Sequence, residues 1–204
     1  MVQMEIPDDK PVLLYTSYRT GSTALCDELA TQLNYKNFDE VWHPEKKFQD
    51  RYNQWQQYKQ DSGQYVIKLM PDQIREDNKD EVAETFHNCY KIRLVRHDFV
   101  KQIASWYLAT GTDIWHQTEE QQVPTQKVPL IEEWMHKCCN RILWNNQQLT
   151  NMPDNIFDAD LQFEGMQLEH TKYQPRNRVE NYDDVVQFVE TVLVDRGLAE
   201  KKHA

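Results

Sequence analysis

The chain has 204 residues, enough for one sizeable hydrophobic core, and no Gly/Ser/Pro-rich stretch or shift in composition divides it. We therefore expect a single domain over residues 1–204. The formal net charge of −10, from 33 acidic and 23 basic residues, argues against a nucleic-acid binder that relies on a broad positive surface. Any site for an anion must be local.

The N-terminal sequence MVQMEIPDDKPVLLYT has acidic residues where a secretion signal is basic, and its apolar run is too short to span a membrane. We expect a cytoplasmic protein without membrane insertion. The four cysteines form no CxxC pair, and none lies beside a His at zinc-ligand spacing. This pattern predicts reduced thiols and no metal site.

Apolar strand runs and amphipathic helix patterns alternate along the chain. Predicted strands lie at 12–16, 64–70, 90–95 and 155–159, and predicted helices at 22–34, 45–59, 73–86, 98–109, 130–149 and 182–194. Aromatic residues at helical spacing within 45–59 (Phe48, Tyr52, Trp55 and Tyr58) favour core packing over stacking on a sugar. Strands separated by helices of this size predict an α/β fold with a parallel sheet covered on both faces.

The first strand-to-helix connection has the composition of a local anion site. In parallel sheets ligands bind at the carboxyl ends of strands, where the free N–H groups and dipole of the next helix favour an anion. Gly21 allows close backbone approach, Ser22 and Thr23 offer hydroxyls, and Arg19 offers charge-assisted hydrogen bonds. A Ser/Thr-capped helix after an ordinary turn explains these residues alone equally well.

The segment YRTGST (18–23) lacks the GxxxxGK[ST] spacing of nucleoside-triphosphate P-loops. It resembles the 5′-phosphosulfate loop of sulfotransferases that use 3′-phosphoadenosine 5′-phosphosulfate (PAPS), with Arg19 where many members have Lys. Two further segments are similar to that family. YKIRLVRHDFVKQIASWYLATGTDIWH places Arg96 at a strand end and Ser105 on the next helix, and YVIKLMPDQI places Lys68 on a family Lys.

Weaker similarities follow in IFDADLQFE (156–164) and in YQPRNRVENYDDVVQFV, which contains Arg176. The resemblance runs in order from about residue 11 to residue 190, and it is nearest to the bacterial branch that sulfates trehalose. It implies a P-loop-like three-layer fold with a central parallel sheet flanked by helices.

The resemblance also implies a role for each matching residue. The loop residues Arg19, Thr20, Gly21, Ser22 and Thr23 would bind the 5′ end of PAPS. Arg96 and Ser105 would bind its 3′-phosphate, and Arg176 would close over that phosphate. Arg19 and Lys68 would stabilise the charge that develops on the leaving oxygen. The alternative for Lys68 is a strand-end lysine that reaches solvent.

The general base has no obvious position, because Met70 stands where many cytosolic members carry a catalytic His. The trehalose branch resembles this chain in having a Glu soon after the first helix, which makes Glu40 the predicted base. His43 and Glu45 compete with it, and a solvated acidic loop explains the segment equally well.

We therefore expect a sulfotransferase that moves a sulfuryl group from PAPS to a hydroxyl of a small acceptor, with a carbohydrate suggested by the resemblance alone. Two alternatives stay open. One is a P-loop nucleotide or small-molecule kinase, which the missing P-loop Lys disfavours. The other is a non-catalytic protein that binds PAPS or its product 3′-phosphoadenosine 5′-phosphate (PAP).

Overall fold

A computed structural model of the chain describes residues 4–45, 48–61, 63–113, 127–166 and 180–198. These residues form two compact units. The first comprises the described residues of Met1–His97 and Asn145–Leu168, and the second those of Asp98–Trp144 and Glu169–Ala204. The single domain over 1–204 stays a prediction.

The first unit is built on a sheet of five strands, all parallel, in the order β2-β3-β1-β4-β5. The strands are β1 (Val12–Thr16), β2 (Lys36–Glu40), β3 (Tyr65–Leu69), β4 (Tyr90–Val95) and β5 (Ala159–Gln162). β1 is central and fully buried, as expected of an uninterrupted apolar run covered on both faces. The predicted α/β class is confirmed.

Helices cover both faces of this sheet, because alternate side chains of each strand enter different cores. Leu14 and its neighbours pack on α1 (Ser22–Leu33). Leu13 and its neighbours pack on α2 (Gln49–Gln60) and α3 (Lys79–Asn88). The architecture is a P-loop-like three-layer fold. Trp55 of α2 is fully buried, and Tyr52 and Tyr58 pack beside it, which confirms the predicted packing role of these aromatic residues.

The second unit contains α4 (Phe99–Thr112), α6 (Tyr182–Asp195) and most of α5 (Glu132–Asn151), whose last turns belong to the first unit. Tyr107 of α4 stacks on Trp134 of α5 with ring centroids 4.1 Å apart and donates a hydrogen bond of 2.6 Å to the Pro129 carbonyl. Just before α6, the Asn181 side chain exchanges two hydrogen bonds with the Val128 backbone.

The sequence patterns misplace two strands. The predicted strand at 155–159 is wrong, because Asp154–Ile156 form a 3-10 turn and β5 begins only at Ala159. Strand β2, with the sequence KNFDE, is not among the predicted strands. It lies at the edge of the five-stranded sheet, with β3 as its neighbour. Polar and charged residues are common in edge strands.

Two helices begin later than predicted. A 3-10 turn at Pro71–Gln73 occupies the start of the helix predicted at 73–86, and α3 begins only at Lys79. Helix α2 starts at Gln49 instead of residue 45. All four cysteines are free thiols with buried side chains. Among the described residues, no helix combines the length and the apolar character that crossing a membrane requires.

Replacing Leu14 by Ala tests the central position of β1. Leu14 is fully buried between the sheet and α1, so Leu14→Ala should lower the free energy of unfolding by about 2–5 kcal/mol through lost burial and a residual cavity. Urea unfolding followed by circular dichroism measures the change. Ile74→Ala is the control, because Ile74 is 40% exposed and its truncation should cost much less. Equal losses in the two variants would contradict this account of the core.

Candidate functional site

The predicted site residues of the first unit come together at one edge of the sheet. Because all five strands are parallel, their carboxyl ends share that edge, and the central β1 ends between β3 and β4. Arg19 to Thr23 come from the β1–α1 loop and the first turn of α1. Glu40 lies at the end of β2, Lys68 near the end of β3, and Arg96 directly after β4.

The β1–α1 loop has an unusual backbone. Arg19 has φ 57° and Gly21 has φ 74°, both in the left-handed region. Successive residues that include such conformations form concave arrays of N–H groups that bind anions. Gly21 is the N-cap of α1 and has no side chain to cap the free N–H groups of Ser22 and Thr23. The start of α1 therefore offers donors to an external anion.

Thr20 stabilises the loop from inside. Its buried hydroxyl donates to the Ser17 carbonyl at 3.0 Å and lies 2.7 Å from the Thr16 hydroxyl, whose oxygen is 3.1 Å from the Leu94 carbonyl of β4. These bonds tie the loop to two strands. Thr20 therefore uses its side chain for the loop conformation, so its predicted contact with a cofactor would have to come from the backbone.

Lys68 is the centre of a buried ionic network. Its ammonium lies 2.7 Å from Asp39 Oδ1 and 3.1 Å from Glu40 Oε1, and it donates a 2.7 Å hydrogen bond to Thr23 Oγ1. The side chain is only 2% exposed. Burial alone would lower the pKa of Lys68, but the charges of Asp39 and Glu40 outweigh this effect and raise it. The alternative of a lysine that reaches solvent is wrong.

A β-bulge explains how two consecutive carboxylates reach one ammonium. Successive side chains of a regular strand point to opposite faces. The register of β2 against β3 shifts between Asn37 and Asp39, and Asp39 has a left-handed φ of 51°. The Asn37 side chain accepts a 2.8 Å hydrogen bond from the Asp39 N–H and supports this turn. Asp39 and Glu40 therefore both contact Lys68.

Glu40 is the last residue of β2, and its side chain is 14% exposed. The second carboxylate oxygen accepts a 2.8 Å hydrogen bond from the buried Gln73 side chain and lies 3.9 Å from His43 Nε2. Glu45 lies 3.9 Å from the same His43 nitrogen and is 55% exposed. Of the three predicted base positions, Glu40 is the one that contacts Lys68, and the interpretation as a solvated acidic loop is wrong for it.

Arg96 contacts the loop directly. Its guanidinium donates a 2.8 Å hydrogen bond to the Arg19 carbonyl and lies 4.6 Å from the centroid of the Phe163 ring. The two predicted phosphate-binding arginines are thus neighbours in the first unit. Ser105, the predicted partner of Arg96, is a buried residue of α4 in the second unit. Arg176 lies outside the described residues.

Sequence reasoning missed three polar groups near these strand ends. Asp39 was hidden by its place in a bulge, which no periodic pattern reveals. Gln73 lies three residues after Met70 and accepts a hydrogen bond from the Met70 backbone N–H. This three-residue spacing is typical of a tight turn, and it was the signal in the sequence that could have located Gln73. Tyr18 donates to both oxygens of Asp72 at 3.0 Å and so connects the loop to the segment after β3.

No family model and no curated protein matches the chain. Two solved structures each have a TM-score of 0.40 against it over 90% of this chain and 99% of the other. One is an uncharacterized protein from Eubacterium ventriosum ATCC 27560, with 8% sequence identity. The other comes from Chloroflexus aurantiacus j-10-fl, has 13% identity and is described as a "putative kinase". Similarity at this level carries no argument about activity.

Removing the Lys68 charge tests the network. Lys68→Met removes the buried cation from both carboxylates and leaves Asp39 paired with Arg51 alone, so the free energy of unfolding should fall by about 3–5 kcal/mol. Lys59→Met is the matched control, because Lys59 pairs with a 62% exposed Glu84 and such a surface pair contributes about 0–1 kcal/mol. Urea unfolding at pH 7 compares them. A Lys68 variant as stable as the Lys59 variant would show that the network does not stabilise the fold.

Proposed function

We propose that the protein transfers a sulfuryl group from PAPS to a hydroxyl of a small acceptor and releases PAP. One observation carries the proposal: an anion-binding loop at the carboxyl end of β1 is connected, through Thr23 and Lys68, to the carboxylate of Glu40. A donor site for a charged leaving group and a candidate base therefore belong to one network. The sequence resemblance to PAPS-dependent sulfotransferases identifies the anion.

The residues present fit the 5′ end of PAPS. The first turn of α1, Ser-Thr-Ala-Leu, contains no acidic residue that would repel an anion, and the left-handed backbone before it suits anion binding. Arg19 supplies a positive charge at the loop, and Arg96 lies against the Arg19 carbonyl. Arg96 would also bind the 3′-phosphate, as the family resemblance implies.

When bound, PAPS supplies a sulfuryl group whose bond to the 5′-phosphate oxygen can be broken. Glu40 would accept the proton of the acceptor hydroxyl as the hydroxyl oxygen bonds to sulfur, and the 5′-phosphate would keep the electron pair of the broken S–O bond. Arg19 and the N–H groups of α1 stabilise the charge that grows on the departing oxygen. The rigid strand ends hold these groups in place before the reaction, which reduces the entropic part of the barrier.

The acceptor is a small hydroxylated molecule, and the resemblance to the trehalose branch favours a carbohydrate. Binding measurements separate this proposal from the two alternatives. A kinase would be stabilised against heat by ATP with Mg²⁺, whereas the proposed enzyme should be stabilised by PAP without metal. A non-catalytic binding protein would respond to PAP but would transfer no labelled sulfate from PAPS to any metabolite.

Arginine variants test the cofactor site. Arg19→Ala and Arg96→Ala should each weaken PAP binding about 10- to 100-fold, because each removes charge-assisted hydrogen bonds to an anion or to the loop that holds it. Isothermal titration calorimetry measures the affinities. Lys79→Ala is the control, since Lys79, the first residue of α3, is a 51% exposed cation that pairs with Glu76. If Arg96→Ala binds PAP as tightly as the control, the assignment of Arg96 fails.

A carboxylate pair tests the base. Glu40→Gln should slow sulfate transfer about 10²- to 10⁴-fold and leave PAP affinity within about threefold of the native value. Asp39→Asn is the matched control, because it removes the other ion pair of Lys68 and keeps the predicted base. Transfer of labelled sulfate from PAPS to an acceptor gives the rates, and calorimetry gives the affinities. Equal rates in the two variants would assign the effect to the ionic network and remove Glu40 as the base.

A further inference from the structure

We infer that Lys68 is a positioning residue that acts on the bound anion through the hydroxyl of Thr23 and does not touch the ligand. The inference rests on the proposed function and refines it, because sequence resemblance alone placed Lys68 among the groups that contact the leaving oxygen. It also specifies what the Thr23 hydroxyl presents to a molecule in the loop: a hydrogen-bond donor.

The hydrogen bond between Lys68 and Thr23 has a fixed direction. A lysine ammonium has three N–H donors and no acceptor, so Lys68 must donate to Thr23 Oγ1 over their 2.7 Å contact. The Thr23 oxygen is then an acceptor toward Lys68, and its own O–H must be directed elsewhere. A hydroxyl that could otherwise donate or accept is thus committed to donate on its other side.

Thr23 lies in the first turn of α1, beside the free backbone donors of the loop. It is the second residue of α1, directly after the Arg19–Gly21 turn, in the first helical turn where the backbone N–H groups have no intrahelical acceptor. Its hydroxyl hydrogen therefore joins a set of donors at the loop. Phosphate and sulfate ester groups match such a set, because they are charged and their several oxygens accept hydrogen bonds from more than one donor.

The ammonium of Lys68 is buried. Only 2% of the Lys68 side chain is exposed, and the ammonium forms ion pairs with Asp39 and Glu40. It also donates a hydrogen bond to Thr23. A molecule in the loop meets the Thr23 hydroxyl before it can meet the ammonium. The charge of Lys68 reaches the ligand by polarising that hydroxyl, since hydrogen bonds in series strengthen one another in a low-dielectric site.

The hydroxyl of Thr20, the other threonine of this segment, differs from that of Thr23 in its hydrogen bonds. The Thr20 hydroxyl donates its hydrogen to the Ser17 carbonyl, and so that hydrogen is used within the protein. Two threonines three residues apart thus have opposite roles: Thr20 maintains the loop, and Thr23 presents a donor.

A double-mutant cycle on PAP affinity tests the inference. Thr23→Val should weaken PAP binding about tenfold or more, and Lys68→Met should weaken it about three- to tenfold in the native background. If Lys68 acts through Thr23, Lys68→Met in the Thr23→Val background should have no further effect beyond about twofold. Thr23→Ser, which keeps the hydroxyl, should restore the effect of Lys68→Met. A purely structural role of Lys68 would be insensitive to which residue occupies position 23.

Isothermal titration calorimetry at pH 7.5 gives the four affinities, and Lys59→Met serves as the charge control in both backgrounds. Where Lys68→Met alone does not fold, the same cycle is run with the combination of Lys68→Met, Asp39→Asn and Glu40→Gln, which removes the buried cation together with both carboxylates and leaves the Arg51 partner of Asp39, 36% exposed, to solvent. Additive effects of Lys68 and Thr23 would overturn the inference and leave the proposed function standing. Absence of PAP binding by the native protein would overturn both.

Discussion

The ion pairs of Lys68 with Asp39 and Glu40 are the constraint on which the carboxyl edge of the sheet depends. An ammonium with 2% exposure is tolerated only when its charge and all its hydrogens are satisfied, because burying an unpaired charge is costly. That requirement explains the bulge in β2, which brings two adjacent carboxylates to one cation. It also explains why the start of α1 is attached to β3 through Thr23. Edge strand, central sheet and first helix are thus joined by a single side chain.

A second set of polar bonds fixes the loop itself. Thr16 and Thr20 connect the loop to β4, and Arg96 donates to the Arg19 carbonyl from the end of the same strand. Arg19 holds a left-handed backbone conformation that a residue with a side chain adopts only when its surroundings determine it. The loop is consequently organised by the protein's own contacts, with its donors arranged before any ligand arrives. Such preorganisation is what electrostatic stabilisation of a leaving group requires.

Much of this arrangement could be predicted from the sequence, and the exceptions have a common cause. Continuous apolar runs located β1, β3 and β4, and helical spacing located α1, because burial on both faces leaves a strong periodic signal. β2 escaped because an edge strand with the sequence KNFDE has no such signal. Two polar residues of the site were not predicted for a related reason: Asp39, which pairs with Lys68, lies in a bulge, and Gln73, which bonds Glu40, lies in a 3-10 turn, where local geometry, not periodicity, directs the side chain. Arg96 was correctly placed at a strand end, but its bond to the Arg19 backbone involves residues far apart in sequence.

The four buried cysteines give the protein an internal reporter of local opening. Cys26 and Cys89 lie in the two cores of the first unit, and Cys138 and Cys139 lie on α5 in the second. Burial raises the pKa of Cys89 and of Cys138 to about 12 and that of Cys139 to about 11, and it raises the pKa of Cys26 as well. Thiols in this state are poor nucleophiles toward alkylating reagents. Labelling of each pair at neutral pH followed by peptide mapping would therefore report how often each unit exposes its interior, and would separate the two opening rates within one native chain.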